Sequence, residues 1–220
     1  VVGPWRAHAS LLAVKGLWCA ERDMPAIIRD LVALARVQGF EGLLSPLVPE
    51  ELAAPYEAAG MEIAHRGITL RLSAPAERPV VDVAGVTLRR GGLDELSAIE
   101  RVDTACFDDF WRFDPQMLAR YLAEERACLA IRDDEVIGYT LCTVRRGEGM
   151  LGRLAVVAEE RGRGIGALLL NDAIAYLARA GARAVTLYTQ EENVPSRALY
   201  AKSGFIELAG TSCFLVAVTG

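Results

Sequence analysis

Arg161 to Gly166 reads RGRGIG, three glycines and two arginines set between an apolar run, Leu151 to Val157, and a long amphipathic stretch. A helix start exposes up to four unpaired N–H donors and the positive end of the helix dipole. Glycines there let the backbone curl around an anion with no Cβ in the way, and arginines add charge that pairs with phosphate. The chemistry on offer is a seat for phosphate oxygens; a plain surface turn with a solvated arginine pair is the alternative. A dinucleotide fingerprint is excluded, because the glycines fall at 162, 164 and 166, position 169 is Leu, and GARAVTL lacks the ribose-binding acid. A Walker loop fails for want of G-K-[ST].

Other chemistries find little support. His8 and His65 are too few and too far apart to build a metal site or a nucleophile relay. The cysteines, 19, 106, 128, 142 and 213, are odd in number, scattered and set in apolar contexts, as expected of free thiols in a reducing cytoplasm. A net charge of −5 argues against nucleic acid as partner. No apolar run approaches the ~20 residues needed to cross a bilayer, so no membrane span is expected. No signal peptide is visible, and the start at Val1 without Met is read as a trimmed end. With 220 residues, 52% of them hydrophobic, the chain can bury a substantial core.

The elements that must position the glycine stretch are legible after Ser73–Pro79, SAPAERP, which has linker composition. Val83–Arg89 reads as a strand and Leu93–Phe107 as a helix. Asp114-Pro115 caps a second helix running to about Arg126. Ala127–Arg132 and Val136–Arg145 form a hairpin around RDDE, and Met150–Val157 is a further strand. Helix Gly164–Ala180 ends at Gly181, strand Arg183–Thr189 follows, and helix Val194–Ser203 stops at Gly204. Phe205–Val218 is expected to hold two strands. The order implies an α/β mixed sheet with helices on both faces.

The first third echoes this pattern. Strand Leu11–Val14, helix Pro25–Gln38, strand Leu43–Val48, helix Glu50–Ala59 and two strands within Met61–Leu72 are expected. PYEAAGMEI (55–63) shares its Y-x-x-x-G-apolar cadence with LYAKSGFIEL (199–208). Helix-ending glycines lie 21 residues apart at 39 and 60, against 23 at 181 and 204. An internal repeat is inferred. The division expected is a half-domain at 1–72, a linker at 73–80 and a complete domain at 81–220.

LAVVAEERGRGIGALLL followed by GARAVTLYTQEENVPSRALYAKSGF resembles the acetyl-CoA-binding half of the GNAT N-acetyltransferases. The signature strand, the R-x-x-G-x-G helix opening, the next strand, the Asn and L-Y-x-x-x-G-F occur in order, and the likeness covers roughly Val83 to Val218. It implies a GNAT fold with a degenerate N-terminal repeat, since WCAERDMPAII has no glycine-rich turn. It implies acetyl-CoA as cofactor, its diphosphate on the amides of Arg161, Gly162, Arg163, Gly164, Ile165, Gly166 and Ala167. Its pantetheine arm would pair with Leu154, Ala155 and Val156. The Leu154 N–H would be the oxyanion donor, a group whose loss typically costs about 2.7–4 kcal/mol. Asn193 and Ser196 fall near the pantetheine, although Asn193 also suits a helix N-cap. Tyr200 takes the place of the general acid toward the departing thiolate; its ordinary pKa near 10 keeps it protonated at neutral pH.

The acceptor pocket of such a fold lies by CFDDFWRFDPQM, 106–117, with four aromatics and three aspartates. Asp108, Asp109 and Trp111 are candidates to face a cationic amine with an apolar body, against the alternative of core rings and helix caps. Relatives acting on ribosomal-protein N-termini carry Glu five residues before the Asn; here that position is Tyr188. Glu148, Asp108, Asp109, Glu191, Glu192 or a water chain are left as sources of a base. The expected activity is direct acetyl transfer to a small-molecule or peptide amine. A non-catalytic acetyl-CoA sensor, transfer to a protein N-terminus and transfer of a longer acyl group are the alternatives.

Overall fold

The computed structural model describes residues 1–6, 8–78 and 82–219. In chain order the elements are β1 (Val2–Trp5), β2 (His8–Val14), α1 (Met24–Val37), β3 (Gly42–Leu44), β4 (Val48–Pro49), α2 (Ala54–Glu57) and β5 (Glu62–Ser73). They continue as β6 (Thr87–Gly91), α3 (Leu96–Cys106), α4 (Pro115–Glu124), β7 (Arg126–Arg132), β8 (Glu135–Arg145) and β9 (Glu148–Val156). The last are α5 (Ile165–Arg179), β10 (Ala184–Gln190), α6 (Val194–Lys202) and β11 (Ile206–Val218).

The chain forms two compact units. One comprises Val1–Thr69, Gln190–Glu192 and Leu208–Gly220; the other comprises Leu70–Thr189 and Asn193–Glu207. In the first, β1 and β2 are antiparallel, and α1 carries the chain over to β3, parallel to β2 with Leu11 opposite Gly42. The far end of β11 pairs antiparallel with β3 and β4. Ser45 locks that pairing: its N–H donates to the Leu215 carbonyl, and its Oγ accepts from the Leu215 N–H, each at 2.8 Å. Leu12, Ile28, Leu43, Tyr56, Cys213 and Leu215 share the core beneath.

In the second unit the strand order is β10-β9-β8-β7-β6. Only β9 and β10 are parallel, as the α5 crossover requires. Alternation along β7 explains the helices on both faces. Ala127 and Leu129 meet Ile99, Val102, Leu118 and Leu122 of α3 and α4, while Cys128 and Ala130 meet Ile165 and Leu169 of α5. Asp114 caps α4 as its sequence predicts, accepting from the Met117 N–H at 2.8 Å.

Several expected boundaries move. Phe205–Val218 holds one strand: Gly210, at φ +87°, bends β11 without ending it. Met61–Leu72 is likewise a single strand, β5. Leu43–Val48 is broken between β3 and β4, where Ser45 turns its hydroxyl to the Pro46 carbonyl. Glu50–Ala59 yields a 3₁₀ turn and the one-turn α2, because Pro55 removes a donor. The strand expected from Val83 starts at Thr87, and β1 was not foreseen. Of the expected linker, Ser73 ends β5, 74–78 carry no regular structure, and Pro79 and Val80 lie outside the described residues. Cys128, Cys142 and Cys213 are buried, Cys19 and Cys106 half-buried, and all five are free.

Candidate active site

The glycine stretch lies where β9 gives way to α5. Gly162 (φ +76°) and Gly164 (φ +84°, the residue before the first helical turn) adopt left-handed backbone that side chains with a Cβ resist. Residues 161–164 are exposed, whereas Ile165 is buried against Val156 and Leu169 and anchors the helix start. The 15-residue α5 therefore presents its free N–H groups and positive dipole end to solvent at a fixed place. Arg161 ties the turn to the strand, its Nε donating to the Val156 carbonyl at 2.9 Å. Arg163 rests on Glu160 at 3.3 Å, a carboxylate that Arg132 also holds at 2.8 Å.

Beside this turn, part of β9 has an edge without a strand partner. Residues 148–150 pair with 184–186 of β10, and the register stops there. On the other edge, β9 stays paired to β8 up to Val156, with a bulge at Gly152. The Val157 N–H donates to the Ile137 carbonyl at 3.0 Å. Since main-chain groups alternate sides along a strand, those of Ala155 point to β8 and those of Leu154 and Val156 point away from it. Among the described residues no strand pairs with Leu154 on that side.

Helix α6 opens with Asn193, whose Oδ1 accepts from the Ser196 N–H at 3.3 Å, so the capping role foreseen for Asn193 is present. In its last turn Tyr200 is buried, its ring centroid 5.8 Å from that of Phe205. Burial alone pushes its phenol up to about 12.

Between α3 and α4, Asp108 caps its own turn, accepting from the Trp111 N–H at 3.1 Å. Asp109 pairs with Arg112 at 2.9 Å and is mostly exposed. Trp111 is buried, with Phe110 edge-on at 4.9 Å and Tyr188 6.3 Å away, centroid to centroid. Glu148 is not brought to this neighbourhood. It starts β9, paired with Arg71 at 3.2 Å, and six residues of strand, about 20 Å at 3.3 Å each, separate it from Leu154.

Beneath the aromatic loop lies a buried polar cluster that sequence reasoning missed. Asp103 of α3 accepts from Arg153 Nε at 2.8 Å and Nη2 at 3.0 Å, from the Phe113 N–H at 2.8 Å, and from the Tyr139 hydroxyl. Arg153 Nη2 also donates to the Trp111 carbonyl at 2.8 Å. The guanidinium lies between two rings, 3.6 Å from the Phe107 centroid and 3.8 Å from that of Phe113. Burial and the Asp103 carboxylate hold the Tyr139 phenol well above its ordinary range. One turn beyond Asp103, burial pushes the Cys106 thiol up, and the nearby Arg161 guanidinium opposes that shift. The signal was present: Asp103 shares the apolar face of Ile99, Val102 and Cys106, and Arg153 sits between inward-facing Leu151 and Ala155.

The sequence profile of the Acetyltransferase (GNAT) family matches residues 95–205, just over half of the 220. The chain belongs to that family, and its mixed α/β architecture is the GNAT fold expected from the motif. The [Ribosomal protein bS18]-alanine N-acetyltransferase of Haemophilus influenzae is 33% identical over 78 residues, 36% of this chain and 53% of that protein. This chain thus spans about half the length of that curated relative. A tandem GNAT protein from the clavulanic acid biosynthesis pathway superposes with a TM-score of 0.75 at 21% identity, over 96% of this chain and 76% of that one. The PaiA N-acetyltransferase of Thermoplasma acidophilum, solved in complex with coenzyme A, has a TM-score of 0.53 at 17% identity, over 60% of this chain and 98% of that one.

Proposed function

We propose that this chain is an N-acetyltransferase that moves the acetyl group of acetyl-CoA to a primary amine in one ternary complex. The observation that carries the proposal is the pairing of two features: the β9 edge at Leu154 and Val156, with which no strand pairs among the described residues and where Arg161 takes only the Val156 carbonyl, and the α5 N-terminus that follows it. An amide-bearing arm can add to such an edge as a strand does. A diphosphate at its end then meets the N–H groups of Gly162 to Ala167, with Arg163 free to leave Glu160 for it; the Arg161 N–H, expected in the same seat, instead donates to the Ala158 carbonyl at 3.2 Å. Both features suit coenzyme A, which the family and the Thermoplasma acidophilum relative also support.

Bound acetyl-CoA supplies an activated acyl carbon. The Leu154 N–H steadies the negative charge that grows on the carbonyl oxygen as the amine adds. Tyr200 keeps its proton throughout the neutral range and hands it to the departing sulfur. Asn193 and Ser196 hold the start of α6 and with it the approach of Tyr200. Glu148 is too remote to serve as base, so water receives the amine proton.

For the acceptor, the wall formed by Phe110, Trp111 and Tyr188 suits an apolar body next to the amine. Asp108 and Asp109 supply negative charge at its rim. A small-molecule amine fits this description, and so does a peptide N-terminus, as the Haemophilus influenzae relative's name suggests. Within the expected 81–220 domain, this chemistry lies in the unit of 70–189 and 193–207, while the expected 1–72 half-domain has no glycine-rich turn ahead of α1. No helix among the described residues is long and apolar enough to cross a membrane, and the five free thiols support a cytoplasmic site of action.

Calorimetry with coenzyme A, followed by thiol release from acetyl-CoA with a panel of amines and Ala-initiated peptides, tests the proposal. Binding with amine-dependent release is expected. Binding without release from any amine would leave a sensor; no binding would overturn the assignment.

A further inference from the structure

We infer that Arg153 and Asp103 are positioning residues for the acceptor side of the site, clipping the aromatic loop between α3 and α4 to the strand that faces the cofactor. The inference rests on the acetyl-transfer function proposed above and assigns it a pair that touches neither reactant. Arg153 precedes Leu154, the proposed oxyanion donor, so its backbone belongs to the cofactor strand. Its side chain runs the other way, into the 107–113 loop. There it holds the Trp111 carbonyl at 2.8 Å and fills the gap between the Phe107 and Phe113 rings. Asp103 completes the clip by accepting from Arg153 and from the Phe113 N–H.

The loop thus has main-chain or ring contacts with this ion pair at 107, 111 and 113, on both sides of Phe110. Its aromatic wall keeps its place relative to Leu154 only while the fork of the guanidinium is filled. Both partners are almost wholly buried, 1% and 7% exposed. A buried ion pair is a poor source of stability compared with apolar residues of like volume, but its geometry is demanding.

Two variants test this. Arg153→Lys keeps the charge and loses the fork, and the paired replacement Asp103→Leu with Arg153→Met removes both charges without leaving one buried alone. Each is measured for coenzyme A affinity, for kcat and KM with tyramine and with an Ala-initiated peptide, and for acrylamide quenching of Trp111 in a Trp5→Phe, Trp18→Phe background. Both variants are expected to bind coenzyme A within about twofold of the parent. Acceptor KM should rise tenfold or more with kcat changed less than threefold, and Trp111 should become more quenchable. An unchanged KM together with unchanged quenching in the double replacement overturns the inference. If the parent binds coenzyme A but turns over neither amine, the acetyl-transfer proposal fails for them, and quenching alone decides the clip: no change sinks it.

Discussion

The two halves of the repeat share a skeleton and differ at one helix start. Helices α1, α2, α5 and α6 all end in the same way, with Gly39, Gly60, Gly181 and Gly204 at φ between +80° and +90°. Beyond each glycine, the N–H of the next residue reaches back five positions: Phe40 to Ala35, Met61 to Tyr56, Ala182 to Leu177 and Phe205 to Tyr200. Tyr56 and Tyr200 therefore occupy matching places, both buried and both raised by that burial. At the front of the crossover helix the likeness ends. The α1 start carries Glu21 and Asp23 and loses an N–H to Pro25; the α5 start has glycines, an exposed N–H fan and two arginines. On the proposed function the α5 start receives the diphosphate and the α1 start does not, a difference that rests on the glycines and on Pro25, since each start is preceded by charges of both signs.

The largest effect should come from cutting the halves apart where the composition invites it. Residues 70–78 pack with the second unit, where the Ala74 N–H donates to the Arg183 carbonyl at 2.9 Å, and 208–219 pack with the first. Separately produced 1–72 and 81–220 each lack a strand segment of their unit. The 1–72 piece, without Leu215 and Cys213 in its core, should show no cooperative melt by circular dichroism; a sharp transition would mean that the exchange of segments is dispensable.

Next in size are the paired tyrosines. Tyr200→Phe should lower kcat by about 10²–10⁴-fold with coenzyme affinity unchanged, while Tyr56→Phe leaves kcat alone. Equal effects in steady-state assays would erase the distinction between the halves. Gly164→Asp, which puts a carboxylate and a strained φ at the seat, should weaken coenzyme A binding at least tenfold by calorimetry. Glu21→Gln at the other helix start should change it not at all.

Smaller is the packing cost of Leu215→Ala in the first unit, about 2–5 kcal/mol for a buried leucine, read as a lower denaturant midpoint with turnover of the folded fraction preserved. The smallest effect is in alkali. Tyr200 is raised from 10 to about 12 in the folded chain, so its share of stability is complete below pH 10 and is lost as pH climbs through 12. Melting temperature between pH 9 and 12 should fall less steeply in Tyr200→Phe than in the parent.

Much of this was legible beforehand because local chemistry fixes it. Asp114-Pro115 announces a helix start and Gly181 a helix end wherever they occur, and RGRGIG after an apolar run admits few structures. The single strands β5 and β11 were not legible. Gly67 and Gly210 look like turns, and only pairing with distant segments, as Leu215 with Ser45, keeps the chain extended through them. The ion pair of Asp103 and Arg153 was half-visible: each charge sits on an apolar face, but their meeting 50 positions apart is a product of the fold. The free edge at Leu154 was inaccessible for the same reason, since no residue type records where a ladder stops.

The most direct test is a crystal structure of the chain with coenzyme A at saturation. The diphosphate should lie within hydrogen-bond reach of the amides around Gly164, the thiol arm should run along Leu154 and Val156, and the start of α1 should hold none. Coenzyme bound at α1, or a diphosphate with no contact to the turn before α5, would contradict the account.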